Sequence, residues 1–181
     1  MADVLRLSIV TPTGIAFDRD VVEVDAPTMT GEVGVLPGHV PTLFAIRTGI
    51  VTSRPAGGGD TEPYRFAVAH GVLEVTQEKA VLLCERLAKK EDVDVVRTRA
   101  RFKEVDDELV AWQGELDDPR RQELIEEEQW LAASLELIGD PPPPTMRELT
   151  RFKVKEIDEV IHEATGVDGG TPEGLVEPQR E

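Results

Sequence analysis

Near residue 90 the apolar positions of this chain change period, and no single layer of structure accommodates both patterns. Before that point they alternate. Leu5, Leu7 and Ile9 share one face with Arg6 and Ser8 on the other, and Tyr64, Phe66 and Val68 repeat the pattern. A period of two marks half-buried strands. After Lys90, Phe102, Val105, Leu109, Trp112 and Leu116 recur at intervals of three and four, the seam of an amphipathic helix. The sequence therefore predicts two segregated parts.

The front part reads as short strands divided by turn residues. Pro12 and Gly14 punctuate the first strand. Ile15–Phe17 begins a second, and Val21, Val22 and Val24 mark a third that stops at Pro27. Residues 31–41 hold three glycines and two prolines, which exclude a helix, and Pro37-Gly38 fits a type II turn. Strand-like stretches follow over 43–53, 64–69, 72–76 and 80–87. Gly57-Gly58-Gly59-Asp60 is read as a hairpin tip, and His70-Gly71 as a turn in which His70 tolerates positive φ. Eight to ten short strands at this spacing predict an all-β sandwich or barrel.

The back part reads as helices. Asp92 is the expected N-cap of the first, with Asp94 also in its first turn, and Gly114 is the expected break. Asp118 and Pro119 suit the cap and first position of a second helix. That helix carries Leu124, Leu131, Leu135 and Ile138 on one seam and stops at Gly139. The pair predicts an antiparallel hairpin that either packs on the β part or lends its face to a partner. Pro141–Pro144 forms a stiff linker, Thr145 and Glu148 offer a capping box for a third helix, and the chain from Val167 has a disordered composition. The expected fold class is α+β. It comprises a β-sandwich over 1–88, a helical hairpin over 89–140, and an extension over 141–181 with a third helix.

Charge is divided as sharply as the periodicity. Of a formal net charge of −16, residues 1–90 contribute 11 acids and 9 bases, whereas residues 91–181 contribute 25 acids and 11 bases. Such a chain is repelled by nucleic-acid phosphates and by anionic bilayers. Apolar runs are far shorter than the ~20 residues of a spanning helix, and no signal-peptide core is visible. The expectation is a soluble protein that reaches a membrane only through partners.

A search for chemistry finds none. The lone Cys84 closes the apolar run Val81–Cys84 and reads as a buried, inert thiol. His39, His70 and His162 do not form a metal-ligand pattern, and no nucleophile elbow, zinc motif or phosphate loop occurs. The acidic runs 106–108 and 126–128 read as solvated helix faces. No catalytic residue, metal site or cofactor is expected. The alternative, a small-molecule enzyme on a β-sandwich, would need catalytic groups that no motif reveals.

The stretch Gly31-Glu32-Val33-Gly34-Val35-Leu36-Pro37-Gly38-His39-Val40-Pro41 resembles the signature loop of the epsilon subunit family of F-type ATP synthases, whose mitochondrial counterpart is called delta. The opening 5–12, the segment 43–49 and the segment 70–75 resemble the family in register, and the similarity spans roughly residues 3–139. The resemblance implies a non-catalytic rotor subunit of the proton-translocating synthase. It would lie at the cytoplasmic face of the bacterial inner membrane, with its sandwich against the gamma subunit and the c-subunit ring. Glu32 and the Pro37-Gly38-His39 turn would face the c ring. The hairpin would act as a mobile regulator that reaches the alpha and beta subunits. Some relatives bind ATP on the hairpin; here Asp94 and Arg97 remain of that motif, Thr98 replaces its alanine, and residues 122–140 contain no Lys or Arg. A phosphate needs cationic donors, so no ATP is expected there. Inhibition through a basic second helix is likewise not expected, because residues 91–140 carry 16 acids against 6 bases.

Overall fold

A computed structural model describes residues 4–57 and 62–142. Nine strands come first: β1 (Leu5–Thr11), β2 (Gly14–Thr28), β3 (Gly31–Val35), β4 (Thr42–Ile46), β5 (Gly49–Pro55), β6 (Tyr64–Val68), β7 (Gly71–Val75), β8 (Lys79–Cys84) and β9 (Leu87–Ala88). A single 3-10 turn at Lys90–Asp92 leads to α1 (Val95–Val110) and α2 (Pro119–Leu137). The expected sandwich followed by a helical hairpin is what the chain forms.

One strand organises the sandwich. β2 pairs with β1 along its first half and with β3 and β5 along its second half, and it touches β4 at Thr28. It thereby belongs to both layers: β1, β8, β7 and β4 on one side, and β3, β5, β6 and β9 on the other. The expectation that this strand stops at Pro27 is corrected. Pro27 is buried in the ladder opposite Glu32, and the two runs read from sequence are one strand of 15 residues. The run expected over 80–87 is likewise divided at Glu85-Arg86 into β8 and β9.

The alternating residues of β1 meet in the interior, where Leu5, Leu7 and Ile9 are fully buried with Val21, Leu73 and Leu82. Gly71 is fixed by close approach rather than by a turn. A Cβ placed there would lie 2.1 Å from the carbonyl oxygen of Leu83. His70 does not adopt positive φ, as no non-glycine described residue does; its imidazole instead lies 3.3 Å from the Glu85 carboxylate.

The helices follow local capping chemistry. Asp94, not Asp92, caps α1, its carboxylate accepting from the Arg97 amide at 3.1 Å. Asp92 serves the preceding turn by accepting from the Lys89 amide. α1 ends at Val110, so Trp112 and Leu116 fall beyond it, and Leu116 is exposed. Asp118 caps α2 and Pro119 opens it. At its far end Gly139 takes φ +85°. Its amide donates to Glu136 and the Asp140 amide donates to Leu135, the bonding of a Schellman stop.

The hairpin lies on the β5–β6–β9 surface, within the same compact unit as the sandwich. α2 is buried on two sides. Leu124 meets Val105 and Leu109 of α1, while Ala133 and Leu137 meet Ala67 and Ala88 of the sheet. The Gly58–Asp60 tip, the second half of the four-proline linker, the expected third helix with His162, and the expected disordered tail lie outside the described residues.

A substitution tests the packing at the β7–β8 pair. Gly71→Ala drives a methyl into the Leu83 carbonyl and should lower stability by about 2–4 kcal/mol in chemical denaturation. A loss under about 0.5 kcal/mol, the range of ordinary surface changes, would contradict that contact.

Candidate functional site

No cluster of three or more metal-ligating side chains occurs among the described residues. Cys84 is buried, and burial pushes its thiol pKa up to about 11, so the thiolate needed for nucleophilic chemistry is scarce near neutral pH. The distinctive features of this molecule are surfaces.

The first is a turn at one end of the sandwich. The His39 amide donates to the Leu36 carbonyl at 3.1 Å, and Gly38 takes φ +82° after Pro37, which makes the type II turn expected from sequence. The Gly38 amide donates to the Gln77 carbonyl at 2.9 Å and ties this turn to the β7–β8 turn. His39 is held twice: Nδ1 bonds the Val40 carbonyl at 2.8 Å, and the ring stands edge-on to Phe44. Around this rigid turn Leu36, Val40 and Leu43 are more than half exposed. Glu32 is set apart from it. It lies in β3 opposite Pro27, toward the 28–31 turn, so the structure groups Pro37, Gly38 and His39 but not Glu32.

The second surface is the outer face of the β1–β8–β7–β4 layer. Register places Val10 beside Leu83, Leu83 beside Val72, and Val72 beside Ala45, one apolar row across four strands. Leu83 is 52% exposed and Val72 43%. Leu43 lies on the same face as Ala45, two residues along β4, and links the row to the turn. Spacing alone did not single out this row. Its signal was present in Val81-Leu82-Leu83-Cys84, which has more apolar residues than one buried face can use.

The third surface is the hairpin. Its inner seam carries Trp130, with the Arg86 guanidinium 5.2 Å from the ring centroid. Across the helix pair, Arg101 grips Glu127 with two bonds, Nε to Oε1 at 2.7 Å and Nη2 to Oε2 at 2.8 Å. That fork holds the Glu127 carboxyl below its usual range, against a smaller opposing effect of burial. Arg99 reaches Asp140, and Lys103 pairs with Asp107. Asp94 is engaged as a cap through the amide of Arg97.

The described part of the molecule thus combines a sandwich bearing an exposed apolar row, a fixed Pro37-Gly38-His39 turn and a seated helix pair. Comparison with known proteins gives its family. The profile described as "ATP synthase, Delta/Epsilon chain, beta-sandwich domain" matches residues 4–90. The ATP synthase epsilon chain of Anoxybacillus flavithermus is 37% identical over 109 residues, which cover 60% of this chain and 78% of that relative. The epsilon chain of Desulforamulus reducens is 33% identical over 122 residues, covering 67% and 89% respectively. Among solved structures, a chain of the Euglena gracilis mitochondrial ATP synthase, in a structure comprising OSCP, F1 and the c ring, aligns with a TM-score of 0.62. It does so at 17% identity, over 75% of this chain and 81% of that one, a likeness of fold. The chain belongs to the ATP synthase epsilon chain family, and is a structural and regulatory subunit of that enzyme rather than a catalytic one. No described helix is long and apolar enough to cross a membrane.

The Arg101–Glu127 fork has a pH signature. Because the native carboxyl is depressed, its stabilisation is complete above the ordinary value of 4.5 and is lost as pH falls through the lowered native value. The thermal midpoint of Glu127→Gln should lie below that of the parent by a constant amount from about pH 8 to about pH 5. The gap should close in stronger acid. A gap unchanged at about pH 2 would contradict the assignment.

Proposed function

We propose that this chain is a rotor component of the central stalk, coupling the gamma subunit to the c ring through its sandwich. The observation that carries the reading is the apolar row Val10–Leu83–Val72–Ala45. Four strands present side chains that a free monomer has no reason to expose together, beside a turn stiffened by Pro37, Gly38 and the bonded His39. Transmission of torque needs this combination of rigidity and adhesion more than it needs a pocket.

In this reading the row receives gamma. The Pro37-Gly38-His39 turn, with its exposed Leu36 and Val40, meets the polar loops of the c ring, and Glu32 makes a separate contact farther along β3. The subunit then sits at the cytoplasmic face of the bacterial inner membrane, held there by its partners. The domain roles follow: residues 1–88 dock, residues 89–140 regulate, and residues 141–181 are an added segment.

The regulatory part is best read as a weak brake without a nucleotide sensor. Three of the four cations on α1 are already paired, to Asp140, Glu127 and Asp107. α2 beyond Arg121 offers no cation for a phosphate or for an acidic partner. Any contact of the hairpin with the alpha and beta subunits would therefore use other chemistry.

Two measurements test this function. The variant Leu83→Asp changes one exposed position and should stay folded, with a loss of stability of no more than about 0.5–1 kcal/mol. Its affinity for gamma in co-purification should fall by about ten-fold or more, since buried unpaired charge is strongly disfavoured. Undiminished binding would reject the docking face. Rates of ATP hydrolysis by the assembled complex with and without this subunit should agree within about two-fold, a difference of ~0.4 kcal/mol in barrier. A several-fold rise on its removal would reject the weak-brake reading.

A further inference from the structure

A groove of about 740 Å³ runs between the β2–β6 side of the sandwich and the end of α2. That volume lies within the range of small-ligand and peptide sites. Its floor is apolar: Phe17, Tyr64 and Phe66, packed edge to face, and Leu137 of α2. Its rim carries Arg19, Arg65, Lys89 and Lys90 against only Glu62 and Glu91. In a chain with 36 acids and 20 bases, this excess of cations is the reverse of the overall balance.

These cations are also uncommitted. Arg19 donates to the backbone carbonyl of Asp18, and among the described residues none of the four forms an ion pair. Most other arginines of the described chain are spent on carboxylates, as Arg6, Arg54, Arg99, Arg101 and Arg120 illustrate.

A second observation narrows the ligand. β9 is two residues long and pairs only with Ala67 and Val68. The chain then turns away at Lys90. The outer edge of Tyr64-Arg65-Phe66 is thereby left without a strand partner among the described residues, beside the two lysines that follow β9. An open sheet edge is a template for an extended chain, and backbone bonds made there are indifferent to sequence. The flanking cations supply the choice.

We propose that this groove receives an extended acidic peptide segment of a partner protein. It would add as a strand along Tyr64–Phe66, with its carboxylates on Arg65, Lys89, Lys90 and Arg19 and alternate apolar side chains on the aromatic floor. The period of two suits Arg65, which alternates with Tyr64 and Phe66, whereas Arg19 shares the strand face of Phe17 and borders the floor. Because Leu137 completes the floor, the site is whole only with the hairpin seated. It is distinct from the apolar row and the Pro37-Gly38-His39 turn, and does not depend on the stalk reading.

The test uses the full chain and a fluorescein-labelled peptide of alternating glutamate and valine, followed by polarisation. Saturable binding is expected, weakening with salt and falling by about ten-fold or more in Lys89→Glu, Lys90→Glu and separately in Arg65→Glu. Bound peptide should also slow amide exchange at residues 64–66. Circular dichroism confirms that each variant is folded, and Arg65→Glu keeps the test decisive if the double variant is not. Equal affinity for parent and variants would overturn the proposal, as would the absence of saturable binding. So would tripolyphosphate displacing the peptide completely with no protection at 64–66, which would mark a site for small anions instead.

Discussion

The arrangement of this molecule depends on a meeting of small side chains. Ala67 and Ala88 on the outer surface of the sheet face Ala133 and Leu137 on α2. Alanines let a helix backbone come close to a sheet, and closeness is what multiplies weak dispersion contacts into useful adhesion. Once α2 is seated, its opposite side is free to receive Val105 and Leu109 of α1, so α1 is attached to the sandwich through α2. Trp130 seals the margin of the seam beneath Arg86. The same seating contributes one wall to the cationic groove and places the termini of the hairpin beside β9.

The sequence was informative wherever one period governed one surface. The alternation in β1, the Pro37-Gly38 turn, the Asp118-Pro119 start and the Gly139 stop are decided by a few neighbouring residues, and each formed where expected. Errors arose where a residue answered to two partners. Pro27 appears to local rules as a stop, yet it lies in a ladder at a position where no amide is required of it. Ala67 breaks the alternation of β6 because α2 covers the face that alternation assigns to solvent. Phe66-Ala67-Val68-Ala69, an unbroken apolar run, was the visible sign of that cover. On α2 the seam through Leu124 and Leu131 was legible, but the second seam through Trp130, Ala133 and Leu137 was hidden inside it. Asp92 was the expected cap, but it is taken up by the 3-10 turn at Lys90–Asp92, and Asp94 caps α1 instead.

The candidate surfaces were legible to different degrees. The turn at 36–39 could be read almost completely, since glycine and proline fix backbone geometry without help from distant residues. The apolar row could not, because it is a property of register among β1, β8, β7 and β4, which are far apart in the chain. The cationic groove draws on residues 17–19, 62–66, 89–91 and 137, and only the fold collects them. Charge showed the same limit. The excess of acid in the back half was plain, whereas its consequence, a helix pair whose cations are largely consumed internally, needed coordinates.

The alanine seam is the claim on which the rest stands, and hydrogen exchange of the full chain bearing Ala133→Leu addresses it directly. If the seam seats the hairpin, the larger side chain lifts α2. Amides across Pro119–Leu137 then lose protection by about ten-fold or more, while those of β1, β7 and β8 keep theirs. Unchanged protection on α2 would contradict the account, and so would a uniform loss across the sandwich.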